Sequence, residues 1–381
     1  MCRAVDAALA EFWGNPSSVH RFGQEARAAV ERARGQVAGL IGARARDLLF
    51  TSSGTEAIDL GVRGVLGALP LAARSIATSK VEHNAVRDLA EDLEKRGEAR
   101  VVWLPLMDDR SGRIDVAKSR EVLKARPVAL ISVQWANNET GVIQPVEEIG
   151  KLAKEIGAIF HCDATQWVGK MPADFLTDAS GECAAPFDIA TFSAHKFHGP
   201  KGVGVLWSKR GVRMMPQIHG TQELGRRGGT ENVPGICGAG VAAEEAAEFV
   251  KDGAAIRRLE KLRDGFEAKI VDAVAGVVTP PVGVPRLWNT SNIAFATLEA
   301  EALLLLLSER GVCASAGAAC SSGSLEPSPV LLAMGVEPVL AHGAVRFSLS
   351  RDTGEKELET AAEIVIACVK QLRASSEHAI G

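Results

Sequence analysis

The chain has 381 residues, which is enough to bury a large core and to form two domains. Its net charge of -4 gives no electrostatic reason to expect a nucleic acid or an anionic membrane as a partner. The longest aliphatic run, 302–307, is too short to span a bilayer, and the first residues lack the apolar core of a signal peptide. Seven cysteines are scattered without a Cys-x-x-Cys pair, which favours a reducing compartment. We therefore expect a cytoplasmic protein.

Strand and helix patterns alternate along the first part of the chain. After a turn-rich start, small and aliphatic residues at helical spacing predict a helix over 24–41. A strand over 48–51 then precedes Ser52-Ser-Gly-Thr-Glu56, where a new helix begins. Further strands are predicted over 75–78, 100–106, 128–133 and 158–161, and helices over 84–95, 114–125 and 146–156. This alternation is typical of a mostly parallel α/β sheet with crossover helices.

Two apolar runs, 187–192 and 203–207, flank a polar turn and are predicted as buried strands. Residues 174–187 are expected to form an exposed insertion, and a long helical stretch is expected over 236–274. The last elements are strands over 291–296, 312–314 and 343–349 and helices over 298–310, 327–334 and 355–374. We predict a large domain over 21–249 and a small α+β domain over 250–381, with residues 1–20 packed against the small domain.

Polar clusters follow the predicted strands of the large domain. In parallel sheets, ligands bind where the carboxyl ends of the strands meet the loops. Taken singly, each cluster also fits an ordinary helix cap, turn or surface loop. The clusters are the Ser-Gly-Thr turn before Glu56, Glu82-His83, Asn137-Asn-Glu139, Asp163-Ala-Thr-Gln166 and Ser193-Ala-His-Lys196.

Together the clusters suit one anionic, aromatic ligand that bears a carbonyl, namely pyridoxal phosphate. Lysine at the mouth of two buried strands can lose part of its hydration and become a nucleophile toward that carbonyl. An aspartate suits the ring nitrogen, a histidine can stack on the ring, and a Gly-Thr helix start suits the phosphate. His195 and His198 have no carboxylate or cysteine at the usual ligand spacing beside them, so no metal site is expected.

Blocks along nearly the whole chain resemble the NifS-like cysteine desulfurases of the class V aminotransferase group. These blocks are Gly14-Asn-Pro-Ser-Ser-Val-His20, Thr51-Ser-Ser-Gly-Thr-Glu56, Trp135-Ala-Asn-Asn-Glu-Thr-Gly141, Ser193-Ala-His-Lys196, Arg227-Gly-Gly-Thr-Glu-Asn232, Cys320-Ser-Ser-Gly-Ser-Leu-Glu-Pro-Ser328 and Arg346-Phe-Ser-Leu-Ser350. The resemblance implies the aspartate aminotransferase-like fold type I, whose large domain has a mostly parallel seven-stranded sheet. It also implies a pyridoxal-phosphate enzyme that converts L-cysteine to L-alanine.

The resemblance implies a role for each matching residue. Lys196 would bond covalently to the cofactor, Asp163 would hold the ring nitrogen protonated, and Gln166 would bond the ring hydroxyl. His83 would stack on the ring and assist proton transfer. The phosphate ligands would be Gly54, Thr55, Ser193 and His195, with Thr230 reaching across from the partner subunit of a homodimer. Asn138 would contact cofactor and substrate, and Arg346 would bind the substrate carboxylate through a bidentate fork.

Cys320 would be the nucleophile that takes the substrate sulfur as a persulfide. It lies among small, polar residues without apolar periodicity, whereas Cys162, Cys237, Cys313 and Cys368 are predicted to be buried small hydrophobes. The sulfur would pass to an acceptor protein or an iron–sulfur scaffold protein, and Cys320 could contact an iron–sulfur cluster in transit. Iron–sulfur cluster assembly or another form of sulfur delivery is the expected purpose.

Two other functions stay open. Selenocysteine lyase chemistry would use the same site. The family opens with a strand that this chain lacks, so a dimeric scaffold with impaired catalysis is the second alternative. An ordinary aminotransferase is disfavoured by Cys320.

Overall fold

The computed structural model describes residues 1–175, 185–317 and 326–380, with side chains described as far as residue 375. These residues form two units. The first comprises Met1–Pro105, Asp115–Trp135 and Gln144–Asp252. The second comprises Leu106–Ile114, Ala136–Ile143 and Gly253–Gly381.

The first unit is built on a seven-stranded sheet whose strand order is β1-β7-β6-β5-β4-β2-β3. Strand β7 is antiparallel to both its neighbours, and the pairs from β6 to β3 are parallel. The predicted mostly parallel sheet is therefore confirmed. The strands are β1 Leu48–Thr51, β2 Ser75–Thr78, β3 Arg100–Trp103, β4 Leu130–Gln134, β5 Ile159–Asp163, β6 Ile189–Ser193 and β7 Gly204–Ser208.

Helices cover this sheet because its strands are buried on both faces and consist largely of apolar residues. Leu60 of α3, for example, shares a core with Ile189 of β6 and Leu206 of β7. The α-helices of the first unit are α1 Cys2–Glu11, α2 Arg21–Leu40, α3 Gly54–Gly67, α4 Asn84–Lys95, α5 Val116–Ala125, α6 Val146–Ile156, the single turn α7 Gln222–Gly225 and α8 Val233–Lys251.

The second unit has a four-stranded antiparallel sheet with the order β10-β11-β9-β8. Its core joins Ile293 of β9 and Val345 of β11 to Leu303 of α10 and Val365 of α13. The strands are β8 Val277–Val278, β9 Thr290–Ala294, β10 Ser315–Ala316 and β11 Ala344–Ser348. The helices are α9 Gly253–Val274, α10 Ala300–Glu309, α11 Pro329–Ala333, α12 Pro338–His342 and α13 Glu355–Ile380.

Several details differ from the expectations. Phe175 and Phe187, near the two ends of the segment expected to form an exposed insertion, are buried, and residues 176–184 lie outside the described residues. The long helix predicted over 236–274 is two helices, because α8 ends at Lys251 and Asp252 adopts a non-helical backbone before α9 begins. Residues 1–20 fall in the first unit, where α1 packs on α8, rather than with the C-terminal residues. The strand predicted over 312–314 lies later, at Ser315–Ala316. Among the described helices, none is both long and apolar enough to cross a membrane.

Candidate active site

The carboxyl ends of β4, β5 and β6 lie side by side in the first unit. Their register pairs Gln134 with Asp163, and Asp163 with Thr191. Asp163 is 6% exposed, and its Oδ1 accepts a hydrogen bond from the amide of Thr165 over 3.0 Å. This bond fixes the carboxylate at the sheet edge, where a cationic ring nitrogen would be a suitable partner.

The first turn of α3 meets the end of β6. Ser53 caps the helix by accepting from the amide of Glu56, and the amide of Gly54 donates to Oγ of Ser193 over 2.8 Å. A Cβ atom on Gly54 would lie 2.4 Å from that same oxygen, so this close approach requires glycine. Thr55 is exposed in the same turn. Helix amides and hydroxyls arranged in this way suit a phosphate group.

His83 caps the N-terminus of α4. Its Nδ1 accepts from the amide of Ala85 over 3.1 Å, so the neutral imidazole has its proton on Nε2. Burial lowers the pKa of His83, Asp163 opposes that shift, and Lys196 adds to it. The charges that act on His83 therefore include those of Asp163 and Lys196, which the sequence analysis grouped with it, followed by those of Arg87 and Asp88.

Lys196 and His195 lie in a short 3-10 helix, Ala194–Phe197, that follows β6 directly. Both residues are exposed, so the structure does not show the loss of hydration that was expected for Lys196. Although its side chain is accessible, neighbouring atoms partly shield the His195 ring from water and lower its pKa, and the charges of Lys196, Lys170 and Lys201 lower it further. This concentration of positive charge suits an anionic ligand.

Lys170 is a member of this cluster that the sequence analysis did not single out. It is 8% exposed, and its Nζ donates to the backbone oxygen of Gln166 over 3.1 Å and to Oε1 of Gln166 over 3.2 Å. Burial and the charge of Lys196 lower the pKa of Lys170 to about 7, whereas Asp163 acts in the opposite direction. Its spacing of four residues from Gln166 was the one available signal.

Glu82 belongs to one of the polar clusters predicted from the sequence, but the sequence indicated no role for it. It is fully buried, with Ser79 Oγ donating to one carboxyl oxygen over 2.8 Å and the amide of Gln134 to the other over 2.7 Å. Burial raises the pKa of Glu82 to about 8, and the charge of Asp163 contributes to the rise. Glu82 therefore joins the loop after β2 to the end of β4 and sets the position of the adjoining His83.

The second unit brings Asn138 and Arg346 together. Nη1 of Arg346 donates to the backbone oxygen of Asn138 over 3.0 Å. Oδ1 of Asn138 is buried and has no hydrogen-bond partner among residues 1–175, 185–317 and 326–375. Beside them, the carboxylate of Glu139 accepts from Oγ of Ser328 over 2.6 Å. An amide oxygen without a partner next to an arginine suits a small ligand with both a cationic and an anionic group.

The predicted nucleophile Cys320 lies outside the described residues. Of the cysteines predicted to be buried, Cys162 and Cys368 are buried and Cys237 is half-buried. The prediction was wrong for Cys313, which is exposed because the strand expected there begins later in the chain. Thr230 is exposed in the first unit. In the described part of the chain, no group of three or more histidine, cysteine and acidic residues is arranged to hold a metal ion.

Comparison with known proteins places this chain in a family. The family described as aminotransferase class-V matches residues 2–360. The chain belongs to this family. Cysteine desulfurase 2 of Trichormus variabilis is 45% identical over 97% of this chain and 89% of its own length. Cysteine desulfurase IscS of Dictyoglomus turgidum is 42% identical over 98% of this chain and 92% of its own length.

Solved structures agree with this assignment. A NifS-like protein superposes with a TM-score of 0.86 at 33% identity, covering 97% of this chain and 94% of that one. The structure of SspA in complex with cysteine gives a TM-score of 0.75 at 30% identity, covering 91% and 94% of the two chains. The fold is therefore that of the NifS-like, pyridoxal-phosphate-dependent class V aminotransferases.

Class V aminotransferases depend on pyridoxal phosphate, and the residues of the first unit fit this cofactor. The close approach of Gly54 to Ser193 brings the Ser193 hydroxyl to the N-terminus of α3, and a hydroxyl donor at a helix N-terminus suits a phosphate. Asp163 supplies a buried carboxylate for a protonated ring nitrogen, and Lys196 supplies an exposed amine. These donors and charges match the three functional parts of the cofactor.

Proposed function

We propose that this chain removes the sulfur of L-cysteine, releases L-alanine and takes the sulfur onto Cys320. The observation that supports this most strongly is the assembly of Asp163, His83 and Lys196 at one sheet edge, in a chain 45% identical to a cysteine desulfurase over 97% of its length. L-Cysteine is the proposed substrate, and SspA, a similar protein, has been solved in complex with cysteine.

The side chains of the first unit would hold the cofactor. Asp163 would keep the ring nitrogen protonated, Gln166 would bond the ring hydroxyl, and Lys196 would form the covalent link. The phosphate would be bound by Gly54, Thr55, Ser193 and His195, and by Thr230 of a partner protomer in a homodimer. When bound, the cofactor supplies an electron sink that weakens bonds at the substrate's α and β carbons.

His83 would serve as the proton-transfer group. Its Nδ1 is occupied by the amide of Ala85, so only Nε2 can exchange a proton with the substrate. The lowered pKa of His83 keeps this imidazole neutral at neutral pH, because burial disfavours the cation. A neutral imidazole can accept a proton and return it within one turnover.

Asn138 and Arg346 would bind the substrate carboxylate. The hydrogen bond between the Arg346 guanidinium and the Asn138 backbone holds both groups in one place. The guanidinium can present a planar pair of donors to a carboxylate. Asn138 would also contact the cofactor through its side-chain amide.

The sulfur step needs a thiolate at Cys320. Its Sγ would attack the sulfur of the bound cysteine, forming an S–S bond as the Cβ–S bond breaks. The electron pair of that bond stays with the carbon, which gains a proton and leaves as part of L-alanine. Substrate thiol and enzyme thiol are thereby converted to alanine and an enzyme persulfide, with no external oxidant.

The persulfide sulfur would go to an acceptor protein or to an iron–sulfur scaffold protein. Iron–sulfur cluster assembly is the proposed purpose, supported by the 42% identity to a cysteine desulfurase named IscS. A homodimer is part of this proposal because Thr230 is assigned to the partner's site. The cytoplasmic location expected from the scattered cysteines stays a prediction.

The test is product analysis with purified holoenzyme, L-cysteine and a thiol reductant. The proposal predicts equal amounts of L-alanine and sulfide, and loss of both in Lys196→Ala. Faster turnover of L-selenocysteine than of L-cysteine would instead indicate a selenocysteine lyase. Cofactor binding without either product would contradict the proposal and favour a non-catalytic scaffold.

A further inference from the structure

Lys170 lies in a turn that is packed directly against the lysine-bearing segment. Gly169 has a φ of +78°, and a Cβ atom on it would lie 2.3 Å from Cβ of Phe197. Phe197 follows Lys196 and is 1% exposed. Because only glycine permits both the left-handed backbone and this close contact, the turn is held at a fixed distance from the active-site lysine.

The same turn is braced on its other side. Nε1 of Trp167 donates to the backbone oxygen of Pro172 over 2.9 Å, and the indole stacks on that of Trp135 with ring centroids 4.4 Å apart. The amide of Lys170 donates to the backbone oxygen of Trp167 over 3.0 Å. The backbone that bears Gln166 and Lys170 is therefore a rigid platform.

The side chains of Gln166 and Lys170 meet on this platform. Nζ of Lys170 donates to Oε1 of Gln166 over 3.2 Å and to the backbone oxygen of the same residue over 3.1 Å. In its protonated form, which prevails below its pKa of about 7, Lys170 has donors only, so it selects the oxygen of the Gln166 amide. The opposite orientation of the Gln166 amide would point its N–H groups at the ammonium.

We propose that Lys170 is a positioning residue that fixes the amide of Gln166 so that Nε2, a donor, faces the ring oxygen of the cofactor. This inference rests on the proposed function, in which Gln166 bonds that oxygen. An N–H donor stabilises negative charge on a phenolic oxygen, whereas an amide oxygen in its place would repel that charge. Lys170 would thus tune the protonation of the bound cofactor without touching it.

A test must distinguish the effect of the Lys170 charge from the effect of its hydrogen bond to Gln166. Its charge also acts on His195, and the charges of Lys196 and Asp163 act on Lys170 in turn. Loss of the charge would therefore shift nearby titrations by itself. Lys201 offers a matched control, since its charge acts on His195 and it makes no hydrogen bond with Gln166.

The experiment is a double-mutant cycle on the holoenzyme, with Lys170→Met and Gln166→Ala alone and combined, and Lys201→Met as the charge control. The first readout is the midpoint of the pH titration of the cofactor's visible absorbance. The second is the dissociation constant for pyridoxal phosphate, measured on the apoenzyme. Such a cycle isolates the pairwise effect because a charge effect persists in both backgrounds.

We expect Lys170→Met to raise the titration midpoint and to raise the dissociation constant roughly three- to tenfold, the scale of one oriented hydrogen bond. Both effects should largely vanish in the Gln166→Ala background and exceed those of Lys201→Met. Equal shifts in both backgrounds would overturn the inference. Sulfide release by the wild type is measured on the same preparations. If the wild type releases sulfide, equal shifts overturn the role of Lys170 alone; if it releases none, the proposed function itself fails.

If Lys170→Met does not fold, Lys170→Arg decides the question. A guanidinium also has donors only, so it would select the same amide oxygen of Gln166. A midpoint like that of the wild type is then expected. A midpoint displaced as far as that of Gln166→Ala would overturn the inference.

Discussion

The amide of Gly54 donates to Oγ of Ser193 over 2.8 Å, and this bond joins the first turn of α3 to the last residue of β6. Because the Ser193 oxygen accepts this N–H, its own hydroxyl proton can be donated to a ligand. An anion is a favourable partner at this position, next to the positive end of a helix dipole. Lys196 lies three residues beyond Ser193, so the amine and the anion site share one short segment.

Gly54→Ala is expected to weaken cofactor binding. The new methyl group would lie 2.4 Å from Oγ of Ser193, so either the Ser193 hydroxyl would have to rotate out of the anion site or the first turn of α3 would have to move away from β6. We expect the dissociation constant for pyridoxal phosphate to rise about tenfold or more. Titration of the apoenzyme measures it. In the control Gly35→Ala, the methyl group meets nothing within 4 Å, and binding should be unchanged. Equal affinity of Gly54→Ala and wild type for pyridoxal phosphate would contradict a phosphate site at Gly54 and Ser193.

Glu223→Ala is expected to destabilise the first unit. Glu223 accepts from both Nη atoms of Arg34 over 2.8 and 2.9 Å and from the amide of Phe50 over 2.9 Å, and its side chain is 2% exposed. Removing Glu223 leaves the buried Arg34 with only an exposed carboxylate, that of Glu31, as an ion-pair partner, so a loss of roughly 3 kcal/mol in the free energy of unfolding is expected. Urea unfolding at fixed protein concentration measures it.

The control for this prediction is Glu31→Ala. Glu31 also bonds Arg34, but its side chain is 52% exposed. Its loss should cost less than about 1 kcal/mol, since water screens such pairs. Comparable losses for the two variants would show that burial of the Arg34–Glu223 pair is not what stabilises this region.

Glu82 is expected to make stability depend on pH. Burial raises its folded pKa to about 8 from 4.5, so the folded chain retains a proton that the unfolded chain loses. This contribution to stability is full below about pH 4.5 and is lost as the pH rises through about 8. Relative to wild type, Glu82→Gln should therefore gain stability as the pH increases over that window. Urea unfolding at several pH values tests this. A difference that stays constant with pH would contradict the raised pKa.

Arg346→Lys is expected to impair substrate binding. Lysine keeps the charge but loses the planar fork and the bond that Arg346 makes to the backbone of Asn138. We expect KM for L-cysteine to rise about tenfold while kcat changes less, as for an interaction made in the ground state. Initial rates of sulfide release give both constants. Arg310→Lys, at an exposed position on the second unit, should leave KM unchanged. An unaltered KM in Arg346→Lys would remove Arg346 from the binding site.

Much of the fold follows from local sequence. The apolar runs before Ser193 and after Lys201 form β6 and β7, and the helix predicted over 146–156 has those same bounds in the structure. The break between α8 and α9 was missed because apolar and alanine-rich segments continue on both sides of it. The Asp252-Gly253 pair was the turn signal that interrupts them.

The site residues were harder to predict where contacts between distant parts of the chain determine their positions. Asp163 and His83 could be placed because they follow strands. Lys170 could not, since its contact with Gln166 arises from an irregular turn and its burial from packing. The pairing of Arg346 with the backbone of Asn138 spans 208 residues, a separation at which spacing carries no information.

The most direct test of the proposed function is the location of the sulfur after one turnover. Wild-type holoenzyme is mixed with L-cysteine without reductant, the thiols and persulfides are alkylated, and the peptides are analysed by mass spectrometry. We predict one added sulfur atom on the Cys320 peptide and on none of the other six cysteines. Cys320→Ala should bind cofactor and form no persulfide. Added sulfur on another cysteine, or sulfide release by Cys320→Ala at the wild-type rate, would contradict the assignment of Cys320 as the nucleophile.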